Sequence, residues 1–176
     1  DGLPVPRHPH TRPYDFGLCL PARNGTSATG VFLPGIYNVD YSTAQLSRMR
    51  QLGFNSVRLP INIPTANDEQ TLAKLLSIAK AMGGRAIICM FGTGKLATHA
   101  TGRVDSVPEA VEAWTKVYQV FASLPNVKFE IFNEPMGYSA GCASPPCGTP
   151  ASYYRDMQAI IAGAKLPHDR VILDAL

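Results

Sequence analysis

Five short apolar runs, spaced about 39 residues apart and separated by stretches with helical periodicity, constrain this chain more than any other feature. They lie at Tyr14 to Leu20, Ser56 to Ile61, Arg85 to Phe91, Val127 to Phe132 and Arg170 to Leu173. None shows steady polar alternation, which is the pattern of strands covered on both faces of a parallel sheet.

The intervening segments carry helix signals at their ends. Ser42 with Gln45 makes a capping-box pattern ahead of Leu46, Met49 and Leu52, and Gly53 stops that helix. Asn67 is the expected cap of a second helix with Leu72, Leu75, Leu76 and Ala79 on one stripe, ended by Gly83 and Gly84. Ser106 and Glu109 repeat the capping box around Pro108, and Val111, Trp114, Tyr118 and Phe121 form the buried face. Trp114 therefore reads as a packing residue. Thr149 and Pro150 open a fourth helix that buries Tyr153 or Tyr154, Met157, Ile160 and Ile161, with Pro167 as its limit.

Strand and helix thus alternate up to a fifth strand, so the class is α/β with right-handed crossovers. Two architectures satisfy this order. The leading expectation is a partial TIM-type (β/α) barrel of five parallel strands and four helices; the alternative is an open five-stranded doubly wound sheet. Eight units of this length need roughly 310 residues. The 176 residues here are expected to form an extended arm over 1–13 and one truncated barrel domain over 14–176. The first and fifth strands would leave unpaired edges, so either self-association that completes the barrel or derivation from a larger protein is expected.

Composition narrows the partners. With 45% hydrophobic residues the chain can build a core, and a net charge of +3 is far from the basic stripe that nucleic acid requires. No apolar run approaches the ~20 residues of a membrane span. Cys142 and Cys147 lie in a Gly, Ser and Pro-rich stretch where a short loop brings two sulfurs within bridging distance, and a zinc pair would need a second Cys/His pair at ligand spacing. Cys19 and Cys89 read as core residues. The disulfide, the Asn24-Gly25-Thr26 acceptor pattern and a start at Asp1 rather than Met favour a processed, secreted chain. No metal or other cofactor is implied.

Catalytic groups in parallel α/β folds gather at the carboxyl ends of the strands. The fourth run ends in Phe129-Glu130-Ile131-Phe132-Asn133-Glu134-Pro135, which sets an amide beside a carboxylate at the rim. A Glu134 held against apolar neighbours would favour its protonated form, as a general acid needs, and Asn133 can bond a substrate hydroxyl. The second run, within Gly53-Phe54-Asn55-Ser56-Val57-Arg58-Leu59-Pro60-Ile61, places Arg58 near a strand end. Its guanidinium needs a carboxylate, and Glu130, Glu134 and an acid from outside this chain are the candidates. Tyr37, Tyr41, Phe91 and Tyr138 fall near predicted loop ends, where rings can stack on sugars.

These two segments together resemble glycoside hydrolase family 5, the cellulases, mannanases and related β-glycanases. The resemblance runs loosely from Tyr14 to the end and implies a (β/α) barrel that hydrolyses β-linked polysaccharide such as cellulose. It gives Arg58 the support of the catalytic carboxylates, Asn133 the holding of the sugar and Glu134 the acid/base role. The family's third-strand His has its nearest counterpart in His99, several residues along the loop. The nucleophile, a Glu ending the seventh strand, has no counterpart here; loop acids such as Asp40 and Asp174 are the internal candidates for a second carboxylate. A noncatalytic carbohydrate-binding protein is the competing function. A phosphate cradle at Gly92-Thr93-Gly94-Lys95 lacks the spacing of a P-loop.

Overall fold

The computed structural model describes residues 17–19, 42–92, 101–143 and 145–176. The expectations for the arm at 1–13, the Asn24 acceptor, Tyr37, Asp40, Tyr41, Thr93 to Lys95 and His99 lie outside the described residues.

Among the described residues, five parallel strands form one sheet in the order β1-β2-β3-β4-β5. They are β1 (Gly17–Cys19), β2 (Ser56–Asn62), β3 (Ala86–Gly92), β4 (Val127–Glu130) and β5 (Val171–Ile172). The helices are α1 (Thr43–Gln51), α2 (Ile63–Ala66), α3 (Glu69–Ala81), α4 (Val107–Phe121) and α5 (Pro150–Gly163). A doubly wound sheet reverses its strand order at a switch point so that helices cover both faces. Here the order never reverses, and α1 packs on α3, α3 on α4 and α4 on α5, so consecutive helices form a single layer. The open doubly wound alternative is therefore set aside in favour of the sequential arrangement of a barrel wall.

Local chemistry explains the helix boundaries. Ser42 and Gln45 form the reciprocal capping box of α1, and Gly53 follows its end at φ 95, a conformation that costs other residues. Thr149 and Ser152 do the same for α5, while Ser106 accepts the Glu109 N–H to start α4. The expected cap at Asn67 is corrected: Asp68 accepts the Thr71 N–H at 2.7 Å and caps α3. Asn67 instead ends α2, a short helix the apolar spacing did not reveal, whose own cap is Asn62. That extra element makes five α-helices among the described residues, where four are expected from the sequence.

The core lies between the sheet and its helices. Leu59, Ile61, Ile88, Met90, Phe129 and Ile131 point toward Leu72, Ala113, Trp114, Val117 and Ile160, all of them buried. Trp114 is fully buried and its indole N–H donates to the Ile131 carbonyl at 3.3 Å. Phe129 meets Trp114 and Tyr118 edge-on with ring centres 5.8 Å apart. Tyr153, not its exposed neighbour Tyr154, is the aromatic that α5 buries. Arg170 is buried as well; its guanidinium donates to the carbonyls of Phe121, Ala122, Leu124 and Val127, stapling the α4–β4 turn to the start of β5.

Candidate functional site

Register decides which side chains meet at the carboxyl ends. Pro60 of β2 lies opposite Cys89 of β3, Cys89 opposite Glu130 of β4, and Glu130 opposite Ile172 of β5. Side chains alternate across a strand, so Arg58, two residues before Pro60, shares this face and extends toward Glu130. Its Nε donates to Glu130 Oε2 at 2.7 Å, and its Nη2 donates to Glu130 Oε1 and, at 2.6 Å, to Asn133 Oδ1. The guanidinium thus grips one carboxylate with two bonds and an amide with a third.

This cluster is largely withdrawn from water: the Glu130 side chain is 6% exposed and that of Arg58 25%. Of the three carboxylates open to Arg58 in the sequence, register selects the buried one. The Arg58 guanidinium also lies 5.7 Å from the centre of the Phe91 ring, within cation–π range. Phe91 therefore borders the cluster and is partly buried rather than displayed at a loop tip. The fully buried Cys89 thiol sits beside Glu130; burial and then the Glu130 charge push its pKa up, which keeps it protonated and unreactive.

Beyond β4 the chain turns outward. Asn133 donates its N–H to the Met90 carbonyl at 2.9 Å and stays buried, which holds its side-chain oxygen toward Arg58. Glu134 then adopts φ 50, a left-handed conformation that costs a non-glycine residue about 1–3 kcal/mol. The turn exposes its side chain, so the expectation of a Glu134 held against apolar neighbours is corrected; the shielded carboxylate of this segment is Glu130. Glu134, Pro135, Met136, Ser139, Asp174, Ala175 and Leu176 line a groove of about 350 Å³. The Glu134 N–H donates to Asp174 Oδ2 at 3.1 Å. Burial, opposed by that bond and reinforced by Glu130, raises the Asp174 pKa above its ordinary value.

Tyr138 is not at the groove surface. It is 1% exposed, accepts the Val104 N–H at 3.2 Å and donates to Asp156 Oδ2 at 2.9 Å. Its expected sugar-stacking role is corrected: the ring packs edge-on against Tyr153 and braces the loops that follow β3 and β4. Those loops touch so closely at Gly137, whose N–H donates to the Gly102 carbonyl, that a Cβ there would lie 2.0 Å from the Thr101 oxygen. The Cys142–Cys147 disulfide is formed and closes the β4 loop below this brace.

The structure brings Arg58, Asn133 and Phe91 together around Glu130 and sets Glu134 beside them. It adds Asp174, which the sequence marked only as one of two loop acids. Among the described residues, no group of three or more His, Cys, Asp or Glu is placed to hold a metal ion, and no helix is long and apolar enough to cross a membrane.

A parallel sheet wound in one direction, with an arginine, an amide and carboxylates gathered at its carboxyl ends, defines an α/β protein of the barrel-wall type. The family model for cellulase, glycosyl hydrolase family 5, matches residues 22–162, and the chain belongs to that family. Among solved structures it is similar to XacCel5A crystallised with cellopentaose, with a TM-score of 0.63 and 17% identity over 92% of this chain and 52% of that one. An endocellulase from Pyrococcus horikoshii crystallised with cellotetraose matches with a TM-score of 0.56 and 18% identity, covering 91% of this chain and 50% of that one. A hyperthermostable endocellulase gives 0.55 and 18% over 76% and 44%. At these identities the likeness is one of fold. The chain spans about half the length of the solved structures it matches. A comparison with curated protein sequences finds no match.

Proposed function

We propose that this chain carries the acid/base half of a site that hydrolyses β-linked glucan or a related polysaccharide, with Glu134 as the proton donor. The observation that carries this reading is the placement of an exposed Glu134 on a groove, next to a guanidinium fixed by the buried Glu130 and an amide bonded to that guanidinium. A sugar lying in that groove would displace water from Glu134, and loss of water favours the protonated form of a carboxyl. Glu134 then gives its proton to the glycosidic oxygen as the bond from that oxygen to the anomeric carbon breaks. Asn133, fixed by the bond its oxygen accepts from Arg58, is proposed to meet a sugar hydroxyl beside Glu134. Phe91 and residues outside the described ones, Tyr37 and His99, are proposed to extend the sugar contacts.

A retaining reaction needs a second carboxyl roughly 5 to 5.5 Å from the first to attack the anomeric carbon. The Asp174 carboxylate is engaged by the Glu134 N–H, so we assign the nucleophile to protein outside the described residues. Pairing of the outer strands β1 and β5 with another copy or with a further part of the polypeptide would supply it. The disulfide supports a secreted protein, since such bonds persist in oxidising surroundings.

The test is hydrolysis of soluble glucan, mannan and xylan by the chain and by Glu134→Gln. The reading expects release of reducing ends by the former and a loss of roughly 10²-fold or more in the latter. Undiminished hydrolysis by the variant would remove Glu134 from the role. A second reading, carbohydrate binding without turnover, rests on the groove beside Glu134 alone. It expects cello-oligosaccharides to bind and remain intact.

A further inference from the structure

The left-handed backbone at Glu134 must be held by something, because the residue is not glycine and its side chain packs against little. The partner of its N–H is the carboxylate of Asp174, at 3.1 Å. Asp174 is itself held in place. It lies two residues beyond β5, which is locked to β4 where the Ile131 N–H donates to the Ile172 carbonyl at 3.1 Å. From the other side, the Tyr153 hydroxyl of α5 donates to the Asp174 carbonyl at 2.8 Å. Side chains alternate along β5, so Asp174 extends the face on which Ile172 stands opposite Glu130.

We propose that Asp174 is the positioning residue of Glu134: its carboxylate fixes the left-handed turn that turns the acid/base side chain to the groove, and joins that turn to the Glu130–Arg58 pair. The inference rests on the reading of Glu134 as the acid/base. The groups that face Asp174 are Glu130 from β4, Arg58 from β2, Cys89 from β3, Tyr153 from α5 and Glu134 itself. Burial and the Glu130 charge favour its protonated form, while the Glu134 N–H and Arg58 favour the charged one. A protonated carboxyl is the weaker acceptor, so the turn loosens as Asp174 takes up its proton.

The test follows the Glu134 amide by ¹⁵N–¹H NMR of the whole chain from neutral to acid pH, compared with D174N and D174A. A Glu134→Gln background removes the response of the side chain at that position, leaving the same amide to report on its neighbour. The expected result is a shift of this amide with a midpoint above 3.8. D174N abolishes the step and D174A also moves the amide toward its open-chain position. In the Glu134 background, D174A lowers kcat on soluble β-glucan roughly tenfold to a hundredfold with KM little changed, and D174N recovers part of the loss. An amide titration identical with and without Asp174 would overturn the proposal. Absence of hydrolysis in every form would count against the proposed function instead, and the amide would still decide the role of Asp174. If D174A does not fold, D174N gives the same decision.

Discussion

The two faces of the sheet are built from the same strands and do opposite work. The face toward the helices is closed: Leu59, Ile61, Ile88, Met90, Phe129 and Ile131 are at most 1% exposed and packed against Trp114, Val117 and their neighbours. The opposite face carries Arg58, Cys89, Glu130 and, past the strand ends, Asp174, with Ile87, Lys128 and Ile172 only partly covered. Dispersion and the hydrophobic effect hold the first face. The second is held by directional bonds to charge, and so it is the face where a change of one atom alters chemistry rather than packing.

That contrast is sharpened by four substitutions or conditions, in falling order of effect on stability. Trp114→Ala removes a fully buried indole and its bond to the Ile131 carbonyl, and is expected to cost about 3–5 kcal/mol in urea unfolding. Arg58→Ala leaves Glu130 buried without its bidentate partner; about 3 kcal/mol is expected, the low end for a broken buried pair because Arg58 keeps a quarter of its side chain in water. An Arg58 effect as small as that of a surface residue would place the pair in solvent and break the two-face account.

The third condition is pH. The Asp174 pKa is raised in the folded chain, first by burial, so its contribution to stability is full below the ordinary value of 3.8 and is lost as pH rises through the raised value. Asp174→Asn is therefore expected to remove this loss, flattening the melting temperature across that interval relative to the parent. Last, Glu134→Gln keeps the shape of an exposed side chain, so it is expected to change stability by less than about 0.5 kcal/mol while lowering hydrolysis roughly 10²-fold or more. Equal losses of stability and activity in that variant would merge the two faces into one.

The closed face was legible in the sequence because packing leaves a periodic trace. The stripe through Trp114, the caps at Ser42, Ser106 and Thr149 and the stop at Gly53 are all written within a few residues of where they act. The cap of α3 lies one residue beyond its expected position because Asn67 and Asp68 have the same local chemistry, and only the intervention of α2 separates them. On the open face, Arg58 could be recognised as a cation in need of a carboxylate, yet the choice of Glu130 depends on the β2–β3–β4 register, which no local pattern encodes. Tyr138 departs from its expected place for a similar reason. Its loop position is what a sugar platform would have, but Asp156 and Val104, distant in sequence, draw it into the interior. Asp174 carries no local mark beyond following a strand, and its value arises from β5 pairing with β4.

The most direct measurement is titration of the ¹⁵N-labelled chain with cellotetraose, read residue by residue. The account predicts that the largest shifts fall on Asn133, Glu134, Met136 and Asp174, with smaller ones at Arg58 and Phe91, and that Trp114 and the rest of the helix-side core stay fixed. Shifts confined to the helix layer, or none at all at saturating sugar, would contradict it.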